Sequence, residues 1–242
     1  MKLKDSLESQ GQYLFKNRGY IPVLFILFSI PVSYFNSFDL LSRYDAAEYF
    51  ILVCSLWFVI CGHCIRIHVV LSRKESTSGR NRDEQVADSL NTDGWYSIVR
   101  NPLYFANFLI WFGLSIYLFS FWLLMVLILL FWIYYERIIY AEEAYLQNKF
   151  GRTYDDWCSN TPIFIPKFSG FRPAGIKISI SKIILNEYPS FLSSSTCFLF
   201  VYVLREYSQN KSFELNLPIL ISAVLILFFG LSARMYKYSK RT

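Results

Sequence analysis

Uncharged apolar blocks alternate along the chain with short polar connections. Residues 20–35, 103–135, 188–204 and 217–233 contain no Asp, Glu, Lys or Arg, and residues 49–71 contain one, Arg66. A bilayer core of ~30 Å takes roughly 20 apolar residues as helix, so these blocks read as membrane spans. The block 103–135 is too long for one span. It should fold near residues 117–120 into a tight hairpin with arms of about 17 residues, roughly 25 Å each. The pattern predicts an all-α, polytopic integral membrane protein. About six transmembrane helices are expected, with a tight helical hairpin and a cytosolic helical extension, and the hairpin is the part that barely reaches across.

Composition agrees: the 242 residues are 54% hydrophobic and 19% aromatic, with 17% charged, more apolar than an ordinary soluble domain. Lys and Arg are sorted by side. Lys2, Lys4, Lys16 and Arg18 precede the first block, and Arg73, Lys74, Arg80, Arg82 and Arg100 separate the second from the third. Arg137, Lys149, Arg152, Lys167, Arg172, Lys177 and Lys182 follow the hairpin, and Arg234, Lys237, Lys240 and Arg241 end the chain. The opposite side receives Arg43, Arg205 and Lys211. The positive-inside rule therefore puts both termini and both long loops in the cytosol. The net charge of +6 suits anionic lipid headgroups and calls for no nucleic-acid partner.

The chain reads as a single membrane domain, 1–242, without internal repeats. The N-terminus is not a signal peptide, since Lys16 and Arg18 interrupt it; Leu3, Leu7 and Leu14 give it the faint stripe of an interfacial helix. Five Cys, at 54, 61, 64, 158 and 197, argue against a disulfide framework. In the polar loop 72–93, Val86 and Leu90 at i, i+4 suggest a short surface helix, and the NTDG segment a turn. After the hairpin, residues 134–150 keep helical composition, with Gly151 as the stop. Residues 182–238 form an additional C-terminal transmembrane hairpin.

Polar residues beside apolar neighbours are the candidates for chemistry. Glu136, Tyr140 and Glu143 share one helical stripe, and Glu142, Tyr145 and Lys149 an adjacent one. Either this is a solvated face or a carboxylate site for a cation, where aromatic faces could assist. Arg137 is either a snorkelling cation or a clamp for phosphate or carboxylate. Asn101 suits a helix cap before Pro102, and Arg100 adds charge to exposed N–H groups there. Cys61, Cys64 and His68 lie at i, i+3, i+7 but lack a fourth ligand, so no metal is assigned. Arg66, inside a span, either faces a carboxylate or snorkels. There is no glycine-rich phosphate loop, nucleophile elbow or HExxH motif.

The segment TDGWYSIVRNPLYFANFLIWFG, followed by YYERIIYAEEAYLQNKFGRTYDDWCSNTPIFIP, resembles the isoprenylcysteine carboxyl methyltransferase and phospholipid methyltransferase group of membrane enzymes. The matching positions are Gly94, Tyr96, Arg100, Pro102, Tyr104, Glu142, Glu143, Leu146, Phe150, Gly151, Tyr154, Ile165 and Pro166, in a core of residues 60–167. The resemblance implies an S-adenosylmethionine (SAM)-dependent methyltransferase, with SAM as methyl donor at the cytosolic face and a membrane lipid as substrate. It assigns Tyr96, Asn101, Tyr104, Glu142 and Glu143 to the cofactor, with Gly113 as a packing glycine of the same site, and Arg137 and Arg100 to catalysis. The longer context GRNRDEQVADSLNTDGWYSIVRNPLY also resembles bacterial lipid A 1-phosphate methyltransferases, which implies a bacterial inner membrane with the active site on its cytosolic face.

One position departs from the pattern. The family usually carries His where this chain has Asn101, and an amide cannot take up a proton as a base does. That points to an acceptor already ionised: a lipid phosphate such as the lipid A 1-phosphate, ahead of a prenylcysteine carboxylate or a lipid amine. A sterol-type NADPH reductase, whose C-terminal region has a similar outline, is the alternative outside methyl transfer.

Overall fold

The computed structural model describes residues 2–19, 23, 27–31, 45–74, 87–210, 212 and 216–240. The first expected span, 20–35, lies largely outside this set, as do Arg43, Arg80, Arg82, Val86, Lys211 and Arg241. The other four apolar blocks fall on helices, 103–135 on two of them. The helices are α1 (Leu3–Lys16), α2 (Asp45–Ser72), α3 (Pro102–Tyr117), α4 (Phe121–Phe150), α5 (Arg152–Asn160), α6 (Ile180–Asn210) and α7 (Leu217–Ser239). Among the described residues the only extended pairing is an isolated bridge between Gly94 and Arg172. Among the described residues, three helices are both long and apolar enough to cross a membrane: Ala47–Ser72, Phe121–Phe150 and Leu217–Ser239. α3 is apolar but short, and α6 is long but carries Glu187 and Arg205 inward.

Polarity is inverted relative to a soluble protein. Phe50, Val53, Trp57, Trp122, Leu129, Leu225 and Phe228 are exposed, while Ser55, His63, Ser115, Ser194, Glu187 and Arg205 are buried. Water would penalise such an exterior heavily, whereas hydrocarbon accepts it and drives polar groups inward to one another. Interior hydrogen bonds follow. Ser55 Oγ donates to the Gly113 carbonyl at 2.7 Å, and His63 Nε2 shares a 2.8 Å bond with Ser194 Oγ.

The hairpin forms as expected. α3 ends at Tyr117, Phe119 takes φ 47° at the tip, and Ser120 Oγ accepts from the Leu123 N–H at 3.5 Å to start α4. α4, with 30 residues, is about 45 Å long, more than the bilayer core needs. Its uncharged part ends at Tyr135, and from Glu136 onward it is the extension beyond the apolar layer.

The surface helix expected at Val86 and Leu90 falls partly outside the described residues, and its described part is not helical. Ala87 to Leu90 is irregular, because Asn91 Oδ1 instead takes the Lys74 N–H at 3.1 Å and holds the segment against the end of α2. α1 forms, but Leu3 is 75% exposed. Its packed face is Gly11 and Phe15, and Phe15 joins Phe131, Tyr134, Tyr135, Ile138 and Ile139 of α4 in one cluster. α1 is a tertiary element lying on α4.

Candidate functional site

Gly94 carries the first half of the site. Its φ of 63° with ψ of −133° is a conformation that a Cβ resists, and it lets the chain turn into the 3₁₀ turn Trp95–Ser97. The segment after α5 then laces onto this turn. Gly94 N–H donates to Arg172 O at 2.8 Å, Arg100 N–H to Pro162 O at 2.8 Å, and Lys167 N–H to Ile98 O at 2.9 Å. Trp157 Nε1 donates to Tyr96 O at 3.0 Å. The two motif segments, some forty residues apart in sequence, are thus one surface.

Asn101 sits at the N-cap of α3, but its side chain makes no cap bond. Nδ2 donates to the Ile163 carbonyl at 3.1 Å, so the residue ties the loop to the helix start rather than capping the helix.

The consecutive carboxylates separate. Glu143 pairs with Arg100 at 3.1 Å and hydrogen-bonds Tyr154. Arg100 also donates to Cys158 Sγ at 3.0 Å. Glu142 turns to a cavity of about 1130 Å³ and accepts a hydrogen bond from the Tyr104 hydroxyl. Burial raises its carboxyl to about 7, against smaller opposing effects from that bond and from the Arg18 charge.

The cavity is lined near Glu142 by Tyr96, Arg100, Asn101, Tyr104 and Tyr145. It continues between the helices to Leu114, Leu118, Leu127 and Val201. One polar end and one apolar end fit a ligand with a head and a chain. Cations along the described lining are Arg18, Arg66, Arg73, Arg100 and Lys237, against Glu142 and Glu187.

Of the residues singled out from sequence, Tyr96, Arg100, Asn101, Tyr104 and Glu142 line this cavity together. Glu143 stands behind it as the partner of Arg100. Arg137 is placed elsewhere: Nε donates to Gln10 Oε1 at 2.8 Å and Nη1 to the Ile133 carbonyl at 2.7 Å, so it faces α1. Gly113 is at the α2–α3 crossing, where a Cβ would come within 2.6 Å of the Ser55 carbonyl. Lys149 lies apart from Glu142, over Tyr145 on the exposed side. Arg66 faces a carboxylate, Glu187, at 2.6 Å. Sequence reading missed Asn107 and Glu187, both in the cavity wall. The available signal was a lone amide inside the apolar run 103–135 and a lone acid at the edge of 188–204.

Fold and site define a polytopic helical membrane protein with a polar-to-apolar cavity, bordered at its polar end by the first of two laced loops. Residues 50–153, less than half of the chain, match the family described as phospholipid methyltransferase. Among curated relatives, the nickel-cobalt-cadmium resistance protein NccN of Alcaligenes xylosoxydans xylosoxydans is 38% identical over 95 residues, 39% of this chain and 42% of that one. The protein-S-isoprenylcysteine O-methyltransferase of Schizosaccharomyces pombe is 31% identical over 118 residues, 46% of this chain and 48% of that one. The chain thus matches less than half the length of either relative. No solved structure matches.

Proposed function

We propose that this protein is a SAM-dependent O-methyltransferase acting on a membrane lipid anion from the cytosolic face. The observation that carries this reading is Glu142: a partly buried carboxylate, bonded to Tyr104, at the polar end of a cavity whose other end is apolar. These residues fit the donor. Glu142 would hold its ammonium group, and the ring faces of Tyr104, Trp111 and Tyr135, which line the same cavity, suit a sulfonium. When bound, SAM supplies an electrophilic methyl group.

The chain's own residues then do the positioning. Arg100, fixed by Glu143 and Cys158, presents a guanidinium at the polar end, and Asn101 holds loop to helix. Neither needs to move a proton, since an ionised acceptor oxygen has none to lose. Alignment of the two reactants supplies most of the acceleration. The excess of cations along the lining supports an anionic acceptor, and a lipid phosphate such as the 1-phosphate of lipid A is the substrate proposed. Arg137 of α4, bonded to Gln10 of α1 and to the Ile133 carbonyl, supports the docking of α1.

A prenylated cysteine carboxylate is the second reading, favoured by the name of the fission-yeast relative. Mass spectrometry of total lipids with and without the gene separates the two. A gain of one methylene confined to an anionic lipid class supports the first reading. An unchanged lipid profile, with labelled methyl transfer from SAM to a prenylcysteine, overturns it in favour of the second.

A further inference from the structure

Glu187 lies on α6, outside the segment that matches the family, and its side chain is 3% exposed. It grips Arg66 of α2 with both oxygens, at 2.6 Å to Nε and 3.2 Å to Nη2. The third Arg66 nitrogen, Nη1, crosses to α3 and donates to Asn107 Oδ1 at 2.7 Å. A guanidinium only donates, so the amide is turned with its oxygen to Arg66 and its nitrogen away. Nδ2 accordingly donates to the Tyr135 hydroxyl of α4 at 3.2 Å. The Tyr135 ring lies 4.7 Å from that of Tyr104, and Tyr104 holds Glu142. All six residues line the one cavity.

We propose that Glu187 is a positioning residue for the donor site: through Arg66, Asn107 and Tyr135 it fixes Tyr104 and Glu142, so that α6 and α7 belong to the active site. This rests on the reading of Glu142 as the donor carboxylate. A bridge that only held α6 on α2 would need no Arg66 nitrogen spent on α3. It would also not require each bond in the series to set the orientation of the next. Four helices contribute one link each, or two in the case of α3 and α4. Loss of Glu187 frees Arg66, Asn107 loses the partner that sets its flip, and Tyr135 loses its donor. The Tyr104–Glu142 pair then samples more than one arrangement, which weakens a ligand that needs a single one.

The experiment is calorimetric titration of the full-length protein in detergent micelles with SAM. The wild type is compared with Glu187→Ala, Glu187→Gln, Asn107→Ala and the Asn107→Ala/Glu187→Gln pair, and each is checked for a cooperative thermal melt. Glu187→Ala should weaken binding about tenfold. Glu187→Gln should weaken it about threefold, because an amide oxygen still accepts from Arg66. The double variant should be no weaker than the weaker of its two singles, the non-additivity of links in one series. If Glu187→Ala does not fold, Glu187→Gln and the double variant carry the same comparison. Wild-type binding with Glu187 variants within twofold of it overturns the proposal, and so does a double variant that loses the product of the singles. A wild type that does not bind SAM at all overturns the reading beneath it.

Discussion

Arg100 and Glu143 are joined at 3.1 Å, and this pair connects the N-terminal motif segment to the extension of α4. Glu142, one residue earlier, is turned away from it into the cavity. Two adjacent carboxylates therefore have separate jobs, and their substitutions should separate stability from binding. Glu143→Gln leaves Arg100, whose side chain is 13% exposed, without its charged partner. It should lower stability by about 1–3 kcal/mol with a modest effect on donor affinity. Glu142→Gln should weaken SAM binding at least tenfold while the melting temperature holds or rises, because a buried carboxylate is replaced by a neutral group of the same shape. Paired melting curves and SAM titrations check both.

The raised carboxyl of Glu142 gives a pH signature with two opposite slopes. Its ordinary value is 4.5 and burial raises it to about 7. Between those values the folded protein holds a proton that the unfolded chain has lost, so this group makes the ligand-free protein less stable as pH rises through that window. Donor affinity runs the other way. The carboxylate is formed above about 7, so SAM affinity should fall about tenfold per pH unit below that point and level off above it. Titrations from pH 5.5 to 8.5, repeated on Glu142→Gln, check the assignment; the variant should be flat.

Much of this was legible in the sequence because it rests on local pattern. Charge-free blocks marked the helices, the block 103–135 announced its own fold-back, and Tyr104 and Glu142 were named from the resemblance to the methyltransferase group. What stayed hidden depends on helix rotation and on contacts between distant segments. Nothing local distinguishes Glu142 from Glu143; a rotation of about 100° per residue sends one to the cavity and the other to Arg100. Arg137 lies five residues before Glu142 and so on another face, and only the docking of α1 shows that Gln10 occupies it. Asn101 has the residue type of a cap, yet the Ile163 carbonyl, 62 residues on, competes successfully for its amide. Glu187 was unreadable as a partner of Arg66 because 121 residues separate them.

Asn101 tests whether the reaction needs a base. Asn101→His introduces the residue usual in the methyltransferase group that the sequence resembles, and for an ionised acceptor it should change turnover less than about threefold at pH 8, since no proton has to leave. Asn101→Ala removes the bond to Ile163 and should cost about 1 kcal/mol of stability. Labelled methyl transfer into membrane lipids measures the first and thermal denaturation the second. A rise in turnover of tenfold or more with His would mean that the native acceptor is protonated, contrary to the oxyanion reading.

Gly113 was grouped with the donor site by resemblance, and its position at the α2–α3 crossing predicts a different phenotype. Close backbone approach between membrane helices depends on such small residues. Gly113→Ala places a methyl group 2.6 Å from the Ser55 carbonyl and strains the 2.7 Å bond from Ser55 Oγ. Overpacking of this kind costs about 1–3 kcal/mol. The variant should melt earlier, while the folded fraction binds SAM with wild-type affinity. A weakened affinity in protein that melts normally would return Gly113 to the donor site.

Arg205 anchors the opposite end of the bundle from the cavity's polar mouth. It is 1% exposed, donates from Nη1 to the Tyr117 carbonyl at 2.7 Å, lies over the Tyr117 ring at 4.8 Å and pairs with Glu48 at 3.5 Å. Tyr117 is the last residue of α3, so its carbonyl has no partner within the helix. Arg205 supplies one, and in doing so ties α6 to the hairpin tip and to the start of α2. Arg205→Met keeps the stem's packing but strands that carbonyl and leaves Glu48 unpaired. Glu48 is partly exposed, at 37%, and can hydrate, so the cost should come mainly from the carbonyl and the lost ring contact, about 2–4 kcal/mol. The Arg205→Met/Glu48→Gln pair should recover little of it. Equal recovery to wild-type stability in the double variant would show that charge pairing with Glu48, rather than closure of α3, is what Arg205 contributes.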